Sequence, residues 1–236
     1  MIHVNGLGKR FANRFVLRGL DFEAESGEII ALAGPNGAGK TTFLRILATL
    51  SRPSAGFVEI HGFALPDFAN EVRHKIGYLA HQTLLYPDLS AEQNLRFYGN
   101  LFGVSNVEDR IDETLKLVGL VKRRRDPIQI YSRGMQQRLA IARSLFHDPE
   151  ILLLDEAHTG LDQQGIESLN ELLVSLAKSG KTIVMASHDL DIVSEFSDRV
   201  DVLVGGKFEA SLTGSDLQPE RLLKKYRELI GIGAGN

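Results

Sequence analysis

The chain has 236 residues and a formal net charge of −3, with 43% hydrophobic and 24% charged residues, a composition ordinary for a globular protein. This slightly acidic balance argues against a nucleic-acid-binding protein, because such proteins usually carry a strong basic excess. The absence of cysteine excludes disulfides, thiolate chemistry and cysteine-ligated zinc. No apolar run approaches the ~18 residues that a membrane-spanning helix needs, and the N-terminus lacks a signal peptide, so we expect a cytoplasmic location.

Apolar periodicity divides the chain into strands at both ends and a helical block between them. In chain order, we predict strands at 3–4, 15–17, 20–22 and 28–33, a helix at 41–50, strands at 56–60 and 76–80, helices at 94–102, 111–118 and 135–146, a strand at 151–154, a helix at 165–177, a strand at 182–186, a further helix and two short strands, and a helix at 219–230. Ser90 and Gln93 are spaced as a capping box, which indicates that the helical block begins there. This order predicts one α/β domain over 1–236. Its core comprises about 1–88 and 149–215, its inserted helical subdomain about 89–148, and its C-terminal helix about 219–230.

A glycine-rich segment between a predicted strand and a predicted helix matches the pattern G-x-x-x-x-G-K-[ST]. The segment consists of Gly34, Pro35, Asn36, Gly37, Ala38, Gly39, Lys40, Thr41 and Thr42. Glycines let backbone N–H groups surround an anion, and the helix N-terminus adds partial positive charge. We expect Lys40 to reach the β- and γ-phosphates of ATP and the Thr41 hydroxyl to bind Mg²⁺. A chance glycine-rich turn is the alternative, and the strand–helix context disfavours it.

A continuous apolar run at 151–154 ends in Asp155 and Glu156. Such a run is typical of a strand buried on both faces of a parallel sheet. We expect the Asp155 carboxylate to hold Mg²⁺ or its water, and Glu156 to polarise the water that attacks the γ-phosphate. The alternative is a buried strand that ends in two solvated acids. The run lies about 115 residues after a phosphate-binding loop, which makes that alternative weaker.

Three further segments lie near the second of these motifs, one before it and two after it. They are Tyr131-Ser132-Arg133-Gly134-Met135-Gln136-Gln137-Arg138, Thr159-Gly160-Leu161-Asp162 and Ala186-Ser187-His188-Asp189. The combination resembles the ATP-binding subunits of ABC transporters along nearly the whole chain. The resemblance implies a P-loop (RecA-like) core with an antiparallel β layer and an inserted helical subdomain.

The same resemblance implies roles for individual residues, with ATP and Mg²⁺ as cofactors. Ser132 and Gly134 would belong to the signature motif that contacts the γ-phosphate bound by the opposite subunit. Asp162 would lie in the loop at the dimer interface, and His188 would contact the γ-phosphate. Two such chains close head-to-tail around two ATP molecules, so an ATP-dependent dimer is expected.

Other positions depart from the family pattern or leave a choice open. Phe11 stands where the family carries an aromatic that stacks on adenine, with Phe15 as a rival. The glutamine that senses Mg²⁺ corresponds to His81 by position, although Gln82 is its neighbour. Three signature residues and one residue after the strand acids also differ from the usual pattern: Tyr131, Arg133, Met135 and Ala157.

The resemblance implies that the segment 81–102 forms a groove for an integral membrane subunit. The chain is then expected to lie peripherally on the inner face of the cell membrane. The expected contact residues are Leu84, Leu85, Tyr86 and Pro87. The basic run 122–125 is interpreted as a solvated loop, with contact to anionic lipid as the alternative. The strings at 81–82, 94–98 and 132–138 look most like the ATPase subunit of the haem exporter of cytochrome c biogenesis. Drug and polysaccharide exporters have similar strings, and an ATPase for assembly, such as iron–sulfur scaffolding, is the remaining alternative.

Overall fold

The structure is a computed structural model that describes residues 1–233, in which ten strands and eight α-helices are present. The strands are β1 Ile2–Phe11, β2 Arg14–Ala24, β3 Ile29–Ala33, β4 Ala55–Ile60, β5 Phe63–Leu65, β6 Ile76–Leu79, β7 Ile151–Asp155, β8 Thr182–Ala186, β9 Arg199–Val204 and β10 Lys207–Thr213. The helices are α1 Lys40–Leu47, α2 Ala69–Lys75, α3 Ala91–Phe102, α4 Val107–Leu117, α5 Arg133–Leu145, α6 Gln163–Lys178, α7 Leu190–Ser194 and α8 Pro219–Gly233. In these residues, no helix has both the length and the apolar character needed to cross a membrane.

The larger sheet has six strands in the order β10-β9-β3-β8-β7-β6. The five strands from β9 to β6 are parallel, and β10 pairs antiparallel to β9 at one edge. Every residue of β3, β7 and β8 is buried. Helix α1 packs against one face and α6 against the other, which explains why these strands read as continuous apolar runs.

The smaller sheet is antiparallel, in the order β2-β1-β4-β5, and covers the α1 side of the larger sheet. Two separate strands were predicted at 15–17 and 20–22, and the structure shows that this was wrong. They form the single strand β2, whose pairing with β1 slips by one residue where Leu7 pairs with Leu20 and Gly8 with Arg18. The extra residue, Gly19, has a φ of +70°, a conformation that glycine adopts easily. A bulge at a glycine therefore produced the turn signal.

Helices α3, α4 and α5 pack around a separate core that includes Leu95, Ile111, Leu139 and Phe146. The predicted capping box is present, since the Ser90 hydroxyl accepts from the Gln93 N–H and the Gln93 side chain accepts from the Ser90 N–H. The predicted fold class, an α/β core with an antiparallel layer and an inserted helical block, is thus confirmed.

Helix α2 has no counterpart among the predicted elements. It is seven residues long and buries only Val72 among its own residues, so it shows no apolar periodicity. Helix α1 ends at Leu47, and not at Leu50, because Thr49 takes a left-handed conformation with a φ of +61°. Helix α5 begins two residues before the predicted start, since Ser132 caps it.

Candidate active site

The predicted functional residues meet at one edge of the larger sheet. Gly34 follows β3, His81 follows β6, Glu156 follows β7 and His188 follows β8. Because these strands are parallel, their carboxyl ends share one edge, and ligands bind at such edges in open α/β sheets. The order of the strands therefore brings together motifs that are more than 100 residues apart in the chain.

The 34–39 loop bends tightly between β3 and α1 and requires glycine at two positions. Gly34 and Gly39 have φ values of +152° and +117°. A Cβ atom at Gly34 would lie 2.1 Å from the Leu203 carbonyl oxygen, and one at Gly39 would lie 2.6 Å from the Leu17 side chain. A cavity of about 330 Å³, the phosphate-loop cavity, opens beside this loop. It is lined by Arg14, Val16, Asn36, Gly37, Ala38, Gly39, Lys40, Thr41, Thr42 and Glu156.

Lys40 is buried at the start of α1, and its ammonium group contacts the loop itself. Nζ donates to the Gly34 carbonyl at 2.6 Å and to the Pro35 carbonyl at 3.3 Å. Burial lowers the pKa of Lys40, whereas the Glu156 and Asp155 carboxylates oppose that shift. The carbonyls thus hold a partly desolvated cation beside the cavity, where a phosphate would be a stronger acceptor.

Asp155 is buried, and only one of its two carboxylate oxygens accepts a hydrogen bond within residues 1–233. The Thr41 hydroxyl donates to Oδ1 at 3.0 Å, while Oδ2 is buried with no hydrogen-bond partner among the described residues. Burial raises the pKa of Asp155, and the bond from Thr41 opposes that rise. A cation beside Oδ2 would relieve the desolvation of this oxygen. Thr41 and Asp155 therefore fit a Mg²⁺ ion.

The described residues contain no cluster of three or more His, Cys, Asp or Glu side chains suited to a metal ion. In nucleotide sites, phosphate oxygens and waters supply most of the ligands of Mg²⁺, so Thr41 and Asp155 would be its protein ligands. A second cavity of about 440 Å³, the side cavity, is lined by Thr41, Arg45, Leu50, Tyr78, Ala80, His81, Gln82, Leu84 and Asp155. His81 and Gln82 both line it, so the choice between them as the sensing residue stays open.

Glu156 adopts a left-handed backbone conformation with a φ of +58°, which is uncommon outside glycine. Its N–H donates to the Ala186 carbonyl at 3.0 Å, which fixes the turn after β7. Its Oε2 lies 2.6 Å from Nδ1 of His188, whose side chain is mostly exposed. The structure thus joins the two predicted catalytic side chains, and Glu156 lines the phosphate-loop cavity beside Lys40.

The signature residues stand apart from that cavity within one chain. Ser132 caps α5, where its hydroxyl accepts from the Met135 N–H at 3.3 Å, and neither Ser132 nor Gly134 lines the phosphate-loop cavity. A Cβ atom at Gly134 would lie 3.1 Å from the Gly160 carbonyl oxygen, so the signature packs against the 159–162 loop. Asp162 caps α6 by accepting from the Gly165 N–H at 2.9 Å. Contact of Ser132, Gly134 and Asp162 with a nucleotide or a second chain stays a prediction.

The aromatic residues predicted to stack on adenine do not line the phosphate-loop cavity. Phe11 is 52% exposed, with Lys9 Nζ 4.7 Å from its ring centre, and Phe15 lies beside Arg10. In their place the cavity has Arg14 and Val16, two residues apart on β2. The sequence offered only that spacing as a signal, which any strand shows.

Gln137 is a third residue whose place in the site the sequence did not predict. Its buried side-chain amide donates to the Ala157 carbonyl at 2.8 Å, one residue after Glu156. Helix α5 is therefore connected directly to the turn that carries the predicted base.

Comparison with known proteins decides the family. A family model described as ABC transporter matches residues 17–159. The chain belongs to the ABC transporter family. It is 36% identical over 209 residues to the Nod factor export ATP-binding protein I of Ralstonia nicotianae, covering 88% of this chain and 65% of that protein. It is 37% identical over 239 residues to the daunorubicin resistance ATP-binding protein DrrA3 of Streptomyces coeruleorubidus, covering 99% and 76%.

Solved structures agree with this assignment. The ATP-binding cassette MJ0796, solved as a dimer in a post-hydrolysis state bound to ADP and Pi, superposes with a TM-score of 0.84 at 28% identity. The match covers 90% of this chain and 98% of that one. The chain is thus the ATP-binding subunit of an ABC transporter and an ATPase. The names of these relatives refer to Nod factor export and daunorubicin resistance, so they give no support to haem export.

Proposed function

We propose that this chain is the ATPase subunit of an ABC exporter, which hydrolyses Mg-ATP to drive a separate membrane subunit. The observation that carries the proposal is the phosphate-loop cavity, where Lys40, Thr41 and the Glu156–His188 pair meet. The relatives named for Nod factor export and daunorubicin resistance support export as the direction of transport. A peripheral position on the inner face of the cell membrane follows from that role.

The chemistry follows from the charges around the cavity. The N–H groups of the 34–39 loop and the Lys40 ammonium would bind the phosphates of ATP. Thr41 and Asp155 would hold Mg²⁺, which supplies neutralisation of phosphate charge when bound. The Glu156 carboxylate would accept a proton from the attacking water, and His188 would orient that carboxylate through Nδ1. Placing the base on a fixed turn limits its motion before the reaction.

The exposed aromatic and aliphatic side chains near 81–102 support a membrane partner at this segment. Leu84, Tyr86, Phe97 and Leu101 are large, apolar and exposed, and the Tyr86 and Phe97 rings pack edge to face with centroids 5.0 Å apart. Exposed apolar surface of this kind is typical of a protein–protein contact. Of the four predicted contact residues, Leu85 is only partly exposed and packs against the core, so Leu84, Tyr86 and Pro87 are the better candidates.

The basic run 122–125 is a poorer candidate for membrane contact. Arg124 pairs with Glu92 at 2.7 Å and with Asp112, and Arg123 pairs with Asp126 at 3.0 Å. These acids offset two of the four positive charges of the run, which weakens its attraction to an anionic lipid. The interpretation of this run as a solvated loop is therefore the better supported one.

The cargo we propose is a small organic molecule of the kind that the relatives' names refer to, a drug such as daunorubicin or a Nod factor, since no relative's name refers to haem in these two matches. The competing role, an assembly ATPase without a membrane partner, would share the same phosphate-loop cavity. The relative named for Nod factor export favours the exporter, whereas exposed apolar side chains would suit a membrane subunit and an assembly partner equally.

The test is purification of the tagged chain from detergent-solubilised membranes, followed by an assay of Mg-ATP hydrolysis. We expect a multi-span protein to co-purify, and a Tyr86→Asp/Phe97→Asp variant, whose two residues line neither cavity, to lose it while keeping ATP hydrolysis. Lys40→Ala should keep the partner and lose nearly all hydrolysis, because it removes a charged contact to the phosphates. A chain that hydrolyses ATP but never associates with membranes would instead support the assembly role. Unchanged hydrolysis in Lys40→Ala would contradict the ATPase site itself.

A further inference from the structure

Arg14 is the first residue of β2, where its backbone pairs with that of Phe11 on β1. Its side chain lines the phosphate-loop cavity together with Val16, the loop residues and Glu156. Within residues 1–233, no carboxylate lies at ion-pair distance from its guanidinium, and no side-chain hydrogen bond engages it. The arginine is exposed, so its charge is solvated in the absence of a ligand.

The neighbouring groups in the cavity are those that bind phosphate. Backbone N–H groups of the 34–39 loop, the N-terminus of α1 and the Lys40 ammonium all present positive charge to the same space. A guanidinium beside them would gain a bidentate contact with phosphate oxygens, which is stronger than the bond of a neutral donor. A second cation in this space strengthens the attraction of the cavity for a polyanion.

The two nearby phenylalanines are placed differently. Phe11 has the Lys9 ammonium over its ring, and Phe15 has the Arg10 guanidinium beside it. Of the four residues Phe11, Arg14, Phe15 and Val16, only Arg14 and Val16 line the cavity. At this end of the cavity the chain therefore offers a cation and a small apolar surface, and no aromatic ring.

We propose that the Arg14 guanidinium binds the phosphate chain of the nucleotide, as a second cation beside Lys40. The proposal rests on the proposed function, because it assigns a further residue to the same ATP site. Arg14 would act on nucleotide affinity, since it contacts phosphates that are present before and after hydrolysis. The contribution of Arg14 to affinity should not depend on the nucleobase of the ligand.

The test measures equilibrium affinity for ADP and for inorganic pyrophosphate, which share the diphosphate and differ by the nucleoside. Titration calorimetry on the full chain gives the ADP affinity, and competition against ADP gives that of pyrophosphate. We expect Arg14→Ala to raise the Kd of both ligands by about tenfold, the factor expected on loss of one charged hydrogen-bonded contact. Arg18→Ala is the matched control, because Arg18 is an exposed arginine on the same strand that does not line the cavity. It should change either Kd by less than about twofold.

Three results would overturn the inference or its basis, each in a different way. Equal Kd values for Arg14→Ala and Arg18→Ala would show that Arg14 makes no contact. A loss of ADP affinity with unchanged pyrophosphate affinity would mean that Arg14 contacts the nucleoside and not the phosphates. Failure of the unsubstituted chain to bind ADP would remove the proposed function itself. A thermal unfolding curve of Arg14→Ala that matches that of Arg18→Ala excludes misfolding as the source of any loss.

Discussion

Glu156 illustrates how much of the site is decided by single residues. Its φ of +58° is a conformation that costs of the order of 1–3 kcal/mol for residues other than glycine. The bond from its N–H to the Ala186 carbonyl and the contact of its carboxylate with His188 hold the turn in place. Strain that persists at such a position, supported by its neighbours, points to a role for the side chain.

Glu156→Gln should separate binding from turnover. The amide has the shape of the carboxylate but cannot accept the proton of the attacking water, so we expect turnover to fall by about a hundredfold or more while ATP affinity stays nearly unchanged. Equilibrium binding and phosphate release measure the two quantities. Glu171→Gln on α6 makes the same chemical change at an exposed site and should leave both unaltered. Full turnover in Glu156→Gln would place the base elsewhere, and His188 would then be the next candidate.

At the scale of residues, the sequence predicted those positions whose spacing is fixed by a motif. Lys40 and Thr41 were singled out by the glycine-rich motif, Asp155 and Glu156 by the apolar run that leads to them, and His188 by the resemblance to ABC ATPases. Their roles stay predictions. The sequence could not predict Arg14 and Val16. Their place depends on how β2 lies against the 34–39 loop, which is a tertiary contact and leaves no local pattern.

At the scale of elements, α5 connects three parts of the molecule. It begins at the cap Ser132, contacts the turn after β7 through Gln137, and ends near β6. There Arg143 donates to the Tyr78 carbonyl at 2.9 Å, and its guanidinium lies 5.1 Å from the ring centre of Tyr98. One rigid helix therefore contacts the turn of the predicted base and the strand that leads into the side cavity.

His147, just after α5, makes stability depend on pH. Its ring stacks on Phe102 with centroids 4.0 Å apart, Nε2 lies 3.1 Å from the Ile76 carbonyl, and burial lowers its pKa to about 4. Because the unfolded imidazole has a pKa of 6.5, the unfolded state binds more protons between pH 6.5 and 4. The stabilisation is therefore present above pH 6.5 and is lost as pH falls toward 4.

His147→Phe should remove most of that pH dependence, since phenylalanine keeps the stacking and cannot titrate. Urea unfolding at pH 7 and pH 5 measures it. We expect the substitution to reduce the loss of unfolding free energy between these values by about 2 kcal/mol. His3→Phe makes the same replacement at an exposed histidine of β1 and should leave the loss of unfolding free energy unchanged. An equal loss in His147→Phe and the unsubstituted chain would contradict the assignment.

Element boundaries show why sequence reasoning succeeded in some places and failed in others. The start of α3 was predicted correctly because the capping box of Ser90 and Gln93 has a local signature. Helix α2 was missed because only Val72 is buried on it, so its sequence shows no helical spacing of apolar residues. The turn predicted within β2 was a bulge at Gly19, since a glycine with positive φ serves both purposes equally well.

At the scale of the whole molecule, one chain presents only half of the predicted site. The phosphate-loop cavity includes Lys40 and Glu156 but neither Ser132 nor Gly134. The signature residues lie at the start of α5, where the helix N-terminus offers its partial positive charge outward to an anion. A similar cassette was solved as a dimer with ADP and Pi. We therefore expect each site to combine two chains.

Mixing two inactive variants tests this arrangement. Lys40→Ala keeps a sound signature and Ser132→Arg keeps a sound 34–39 loop, so each should be nearly inactive alone. In the mixed dimer one site regains both halves, and part of the ATPase activity should return with a steep dependence on protein concentration. The control mixes Lys40→Ala with Glu156→Gln, which damage the same half and should not rescue each other. An unsubstituted chain that stays monomeric with ATP, at a per-chain rate independent of dilution, would contradict the arrangement.

The phosphate-loop cavity and the exposed apolar side chains near α3 lie on different elements, and this affects how the sequence can change in evolution. The residues around the phosphate-loop cavity follow buried parallel strands, whereas the exposed side chains of Leu84, Tyr86 and Phe97 lie on or before α3. Mutations at Tyr86 and Phe97 can accumulate without disturbing that cavity, because neither residue lines it. Selection can therefore change what this surface binds while the residues of the phosphate-loop cavity are inherited unaltered.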